Sequence, residues 1–109
     1  MPNSANYEVR LTLAGDAAVV HVSGEIDLAA KADLLGALTQ ASGGDRNVIV
    51  DLSRTTFMDS TALKALVDAW RSQTRAGLGF ALRNPSGEAR RTLLMAGLED
   101  VFPTTATDD

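Results

Sequence analysis

Near the start of the chain Tyr7, Val9, Leu11 and Leu13 alternate with Glu8, Arg10 and Thr12, and a period of two marks a strand with one face buried. Gly15-Asp16 reads as a hairpin turn. Residues 17–23 (AAVVHVS) are a denser β-branched run, which suits a more fully covered strand and closes at Gly24. The period then changes to that of a helix. Leu34, Leu35 and Leu38 form an apolar stripe within 28–41, where Asp27 is the predicted N-cap and Gly43-Gly44 the terminator.

The same alternation of elements recurs twice. Residues 47–52 (NVIVDL) predict a short buried strand, and a loop, SRTTFM, leads to the pair Asp59-Ser60, where a second helix begins. Leu63, Leu66, Val67, Trp70 and Thr74 fall on one face of it, whereas Lys64, Asp68, Arg71 and Arg75 fall elsewhere. Gly77 supplies a left-handed end. Residues 79–83 (GFALR) predict a further strand, and Asn84-Pro85 combines a capping side chain with a proline suited to a first helical turn. Leu93, Leu94 and Leu98 anchor that last helix, Gly97 stops it, and a flexible acidic tail is expected over 103–109. A hairpin followed by β-α-β crossovers predicts an α/β fold with parallel pairing and right-handed crossovers. In such sheets the working edge lies at the carboxyl ends of the strands. Glu25, Asp27, Asp51, Asp59 and Ser60 all belong to that edge.

Composition narrows the possibilities. With 109 residues, 45% hydrophobic and 22% charged, one domain over 1–109 with an ordered core of about 7–102 is expected. The net charge of -4 disfavours direct nucleic-acid binding, which relies on neutralising phosphates. The absence of cysteine removes disulfides, thiolate metal sites and thiol nucleophiles. Residues 1–6 lack the basic and apolar regions of a signal peptide, and no apolar run approaches the roughly 20 residues of a membrane span. These features predict a soluble cytoplasmic protein, and no cofactor is expected.

Three segments then carry a family resemblance. DLSRTTFMDSTALKAL, GEIDLA and NPSGEARRTLLMAGLEDVFP resemble, in that order, the signature, the loop before the first helix and the C-terminal helix of STAS domains, which are shared by sulfate transporters and bacterial anti-sigma factor antagonists. The resemblance implies a mixed, mostly parallel sheet of four to five strands with helices mainly on one face. It also implies an acceptor serine at the start of the second helix, here Ser60. The antagonists of this family are not enzymes. Unmodified, they capture an anti-sigma factor that is also an ATP-dependent serine kinase; phosphorylation breaks the complex and a serine phosphatase resets it. The alternative within the family is an unphosphorylated STAS subunit with a structural role in a signalling or transport assembly. The oligomeric state stays open. Where relatives have a glycine two residues after the acceptor, this chain has Ala62, which brings a methyl group to a place where a partner approaches.

Physical chemistry sharpens the reading of each residue. A serine in a first helical turn is by itself a cap, but if Asp59 takes that role the Ser60 hydroxyl is free to face solvent. Thr61 is the second acceptor candidate. Glu25, Asp27, Phe57, Met58, Asp59, Thr61 and Lys64 make up the expected partner-binding edge, Lys64 at i,i+4 spacing for a phosphate on Ser60. An exposed Phe57-Met58 pair suits the centre of such an interface, while the alternative for Phe57, by its bulk, is burial that pins its loop onto the core. Glu25, Asp51 and Asp59 read as strand-end and cap residues rather than a magnesium site, and no metal is expected. His21, inside a strand without a second ligand nearby, reads as structural. The SRTTFM loop is too long for the sharp elbow of a serine hydrolase. Arg83, Arg90 and Arg91 read as a solvated basic face.

Overall fold

The structure, a computed structural model, describes residues 6–105. Five strands lie side by side in chain order: β1 (Tyr7–Ala14), β2 (Ala17–Ile26), β3 (Asn47–Met58), β4 (Phe80–Arg83) and β5 (Thr104–Thr105). The hairpin β1–β2 is antiparallel and the remaining pairs are parallel, because each of those returns through a helix. The helices are α1 (Lys31–Ser42), reached through a 3₁₀ turn at Leu28–Ala30, α2 (Ser60–Arg75) and α3 (Gly87–Met95).

Alternation along the strands sorts the side chains onto two faces. Val20 and Val22, Val48, Val50 and Leu52, and Leu82 point to one side, where they share a single core with Leu34 and Leu38 of α1, Leu63 and Leu66 of α2, and Ala89 and Leu93 of α3. Burying each such valine or leucine contributes about 1.5–3 kcal/mol. Phe102 closes the C-terminal end of this core against Trp70 and Phe80, with ring centroids 6.1 and 5.8 Å away. The opposite face carries Glu8, Arg10, Thr12, His21, Ser23, Asp51 and Arg83.

Several predicted boundaries move, each for a local reason. β2 runs through Gly24 to Ile26 rather than closing there. Gly24 has φ +85°, and a Cβ on it would stand 2.0 Å from the Asn6 carbonyl oxygen, so only glycine lets β1 pair this closely. β3 is twice as long as predicted, 12 residues, because SRTTFM is strand and not loop. Two register shifts in its pairing with β2 each place one extra residue in β3, and those bulges turn its period-two pattern into BeeBeeB over 52–58.

On the helices, the predicted stripes are narrower than their apolar content. Leu35, Leu94 and Thr74 lie on the surface, whereas Gln73 is fully buried inside the α2 stripe and donates to the carbonyls of Arg46 and Gly79 at 2.9 Å each. Ser86, not Asn84, caps α3; Asn84 takes a left-handed φ of 46° in the turn before it, a conformation asparagine tolerates. Thr104 and Thr105, predicted as tail, pair with Leu82 and Arg83. The rest of the predicted tail, 106–109, and residues 1–5 lie outside the described residues.

Candidate functional site

The carboxyl ends of β2 and β3 stand side by side, with Glu25 opposite Phe57 and Ile26 opposite Met58. Met58 is buried at 3% exposure and fastens the strand end into the core, so it drops out of the surface edge to which the sequence assigned it. Phe57 does the reverse. It points outward and is 49% exposed. Immediately afterwards the Asp59 amide donates to the Ile26 carbonyl at 3.2 Å, which fixes the point at which the chain turns into α2.

Asp59 is the N-cap of α2. Its backbone is extended, and its Oδ1 accepts from the Ala62 amide at 3.1 Å. That contact satisfies one of the helix's orphan donors. Ser60, one residue further on, is therefore released from capping and lies exposed in the first turn. Thr61 is half-buried beside it. The Ala62 methyl, predicted at the docking surface, points instead into the core at 3% exposure; the family glycine position is thus filled from the inside and adds no bulk outside.

Ser60 and Thr61 line a shallow depression of about 490 Å³ between α1 and α2, together with Lys31, Leu35 and Lys64. Lys31 and Leu35 were missed as site residues; Leu35 was visible as part of the α1 stripe, but only the packing of α1 on α2 shows that it faces this depression. Lys64 pairs with Asp68 at 3.1 Å on the exposed side of α2. Asp27 caps the 3₁₀ turn through the Ala29 amide at 3.0 Å, Glu25 is exposed beside it, and Leu28 is 71% exposed. Tyr7 ties β1 to the same end of α1 by donating to Asp33 at 2.7 Å, and that bond raises the phenol above its ordinary pKa.

Asp51 and Arg83 do not join this edge. They meet on the open face of the sheet at 2.8 Å, so Arg83 is separate from Arg90 and Arg91 of α3. Burial pushes the Asp51 carboxyl up, but the hydroxyl and amide of Ser53 and the Arg83 guanidinium together outweigh it and hold it below the usual carboxylate value. His21 stands on this face too, its Nε2 3.0 Å from the Thr12 hydroxyl. Burial, then the nearby Arg10, lowers its pKa. The predicted objection to a hydrolase changes accordingly: β3 does pass sharply into a helix, but the histidine lies on the open face rather than in the depression that holds Ser60.

No helix among the described residues is long and apolar enough to cross a membrane. The sequence model of the STAS domain matches residues 8–109. Among solved structures, an anti-sigma factor antagonist from Mycobacterium paratuberculosis is 25% identical, with a TM-score of 0.81 over 98% of this chain and 92% of that one. The anti-sigma factor antagonist SpoIIAA of Bacillus is 20% identical in its unphosphorylated and phosphorylated forms, with TM-scores of 0.78 and 0.74. Each form covers 94% of this chain, which covers 90% and 93% of them in turn. A probable sulfate transporter 4.2 of Arabidopsis thaliana is 35% identical over 55 residues, half of this chain but only 8% of the transporter's length. The sheet order, the three helices on one face and a match along almost the whole chain make this protein a member of the STAS domain family.

Proposed function

We propose that the chain is an anti-sigma factor antagonist whose activity is switched by phosphorylation of Ser60. The observation that carries this reading is the division of labour at the start of α2, where Asp59 caps the helix and leaves the Ser60 hydroxyl exposed. Glu25, Asp27, Phe57, Asp59, Thr61 and Lys64, joined by Lys31 and Leu35, form the docking edge around it. The partner is an anti-sigma factor that carries the serine kinase activity, and a serine phosphatase reverses the modification in the cytoplasm. The chain itself contributes an acceptor and a surface, not catalysis.

A phosphoryl group adds about -1.5 to -2 charges at neutral pH. At a helix N-terminus the backbone dipole favours those charges by about 0.3–1 kcal/mol, so the fold persists. A docked partner must instead desolvate the new charge beside Asp59, and like-charge repulsion adds to that cost. A penalty of roughly 3–4 kcal/mol loosens a complex several-hundredfold. Electrostatics at one residue is therefore sufficient for the switch.

Intact-mass spectrometry of the protein from its own organism, before and after phosphatase treatment, tests the reading. The expected result is an adduct of about 80 Da mapped to Ser60 and lost on treatment. If the kinase partner labels Ser60→Ala as strongly as the wild type, the acceptor is not Ser60 and Thr61 becomes the candidate. The likeness to a sulfate transporter over half the chain favours a second reading, a structural subunit of a transport assembly. Affinity capture separates the two, since a kinase-type partner supports the first and transport subunits the second.

A further inference from the structure

The face of the sheet that no helix covers is not flat. A groove of about 320 Å³ runs across β1, β2, β3 and β4, lined by Glu8, Arg10, His21, Asp51, Arg54 and Arg83 among others. Three guanidiniums outnumber two carboxylates there, although the whole chain carries a net charge of -4. A cleft whose charge opposes that of the molecule concentrates ions of the opposite sign.

The backbone places these groups deliberately. The first bulge in β3 brings Arg54 opposite Ser23, on the same side as Asp51; in an unbroken strand its side chain would point into the core. Among the described residues Arg54 makes no ion pair. Arg83 uses its Nε on Asp51, which orients the guanidinium while leaving other N–H groups of its five donors. Arg10 meets Glu8 only at 3.7 Å, with both side chains more than half exposed, a contact worth little. Guanidinium forks recognise phosphate and carboxylate oxygens in pairs.

We propose that this groove is a second binding site, separate from the Ser60 edge, for a small polyvalent anion bearing phosphate or carboxylate groups, held by Arg10, Arg54 and Arg83. His21 forms part of its floor. The groups that face it are Glu8, Arg10 and Thr12 from β1, Asp51 and Arg54 from β3, and Arg83 from β4. A bound anion favours the imidazolium, so it moves the His21 titration upward.

The test is a nitrogen-15 NMR titration of the full chain with inorganic phosphate and, separately, with citrate. Saturable shifts confined to His21, Ser23, Arg54 and Arg83 are expected. Arg54→Ala is expected to weaken binding about tenfold with the remaining spectrum unchanged, the loss that follows from one charge-assisted contact. Arg54→Lys, which keeps the charge without the fork, recovers part of it. A response to phosphate alone points to a ligand with phosphate groups, a response to citrate alone to one with carboxylates, and a response to both to a site that takes either; each supports the site. Absence of saturation at tens of millimolar overturns the proposal, as do equal affinity in Arg54→Ala or shifts gathered around Ser60 and Lys31.

Discussion

Two helices of this protein have a serine at their start, one as the cap before the first turn and one inside it, and the two serines do opposite things. At α3, Ser86 is the cap: its Oγ accepts from the Ala89 amide at 3.1 Å and donates to the Thr55 carbonyl at 2.6 Å. Its hydroxyl is spent on holding α3 against β3. At α2 the capping contact belongs to Asp59, and Ser60, one position later, keeps its hydroxyl on the surface. A serine at a helix start is thus a structural clamp or an accessible acceptor according to a single residue of register. The neighbour that takes the cap decides which.

That contrast can be broken or sharpened by substitution. The largest effect on stability is expected from Ser86→Ala, which removes a cap and strands the carbonyl of a buried threonine; chemical denaturation is expected to read a loss of about 2–3 kcal/mol. A loss under about 0.5 kcal/mol would mean that the two serines differ less than their contacts imply. Asp59→Ala is expected to cost about 1 kcal/mol, the usual worth of a cap. In that variant Ser60 also has reason to turn inward, and slower phosphorylation by the partner kinase is the expected companion. Ser60→Asp is expected to leave circular dichroism unchanged and to shift stability by no more than about 0.3–1 kcal/mol in the favourable direction, while weakening partner binding in calorimetry. Ser60→Ala is expected to change stability by less than about 0.5 kcal/mol, because no capping contact is lost, yet to abolish the phosphoryl adduct. Lys64→Ala, which removes an exposed i,i+4 pair with Asp68 worth about 0.3–0.5 kcal/mol, is expected to shift stability as little and to leave the phosphoryl adduct in place.

A pH series separates this edge from the open face. The Asp51 carboxyl has a lowered pKa in the folded protein. Its contribution to stability is therefore present above its ordinary value of 3.8 and lost as the pH falls through the lower, folded value. The lowered His21 acts in the same sense at milder acidity: stability is full above its ordinary value of 6.5 and declines as the pH drops toward the folded one. Asp51→Asn is expected to remove the first component and, by taking away a carboxylate that raises the His21 pKa, to enlarge the second, as seen in denaturation midpoints.

The fold was legible where one periodicity governs a whole element. β1 alternates cleanly, and α2 announces itself through Leu63, Leu66 and Trp70 between the Asp59 and Gly77 signals. Legibility failed where two local signals overlapped. SRTTFM looks like a loop because its polar residues break a period of two, but a bulged strand breaks that period as well. Asn84-Pro85 resembles a helix start, and the chain first makes a left-handed turn there before Ser86 takes the cap. Gln73 sits in an apolar stripe, where its burial depends on two carbonyls from other loops.

The candidate site divides in the same way. The order of the elements, the place of Ser60 at the head of α2 and the candidacy of Asp59 as its cap follow from the residues themselves, since capping and periodicity act over three or four neighbours. Which of Phe57 and Met58 is outside, the inward methyl of Ala62, and the company of Lys31 and Leu35 were decided only by packing. So was the gathering of Arg10, Arg54 and Arg83 on one face from three strands. Burial and charge clustering depend on what lies across the sheet or against the helix, and those neighbours are distant in the chain.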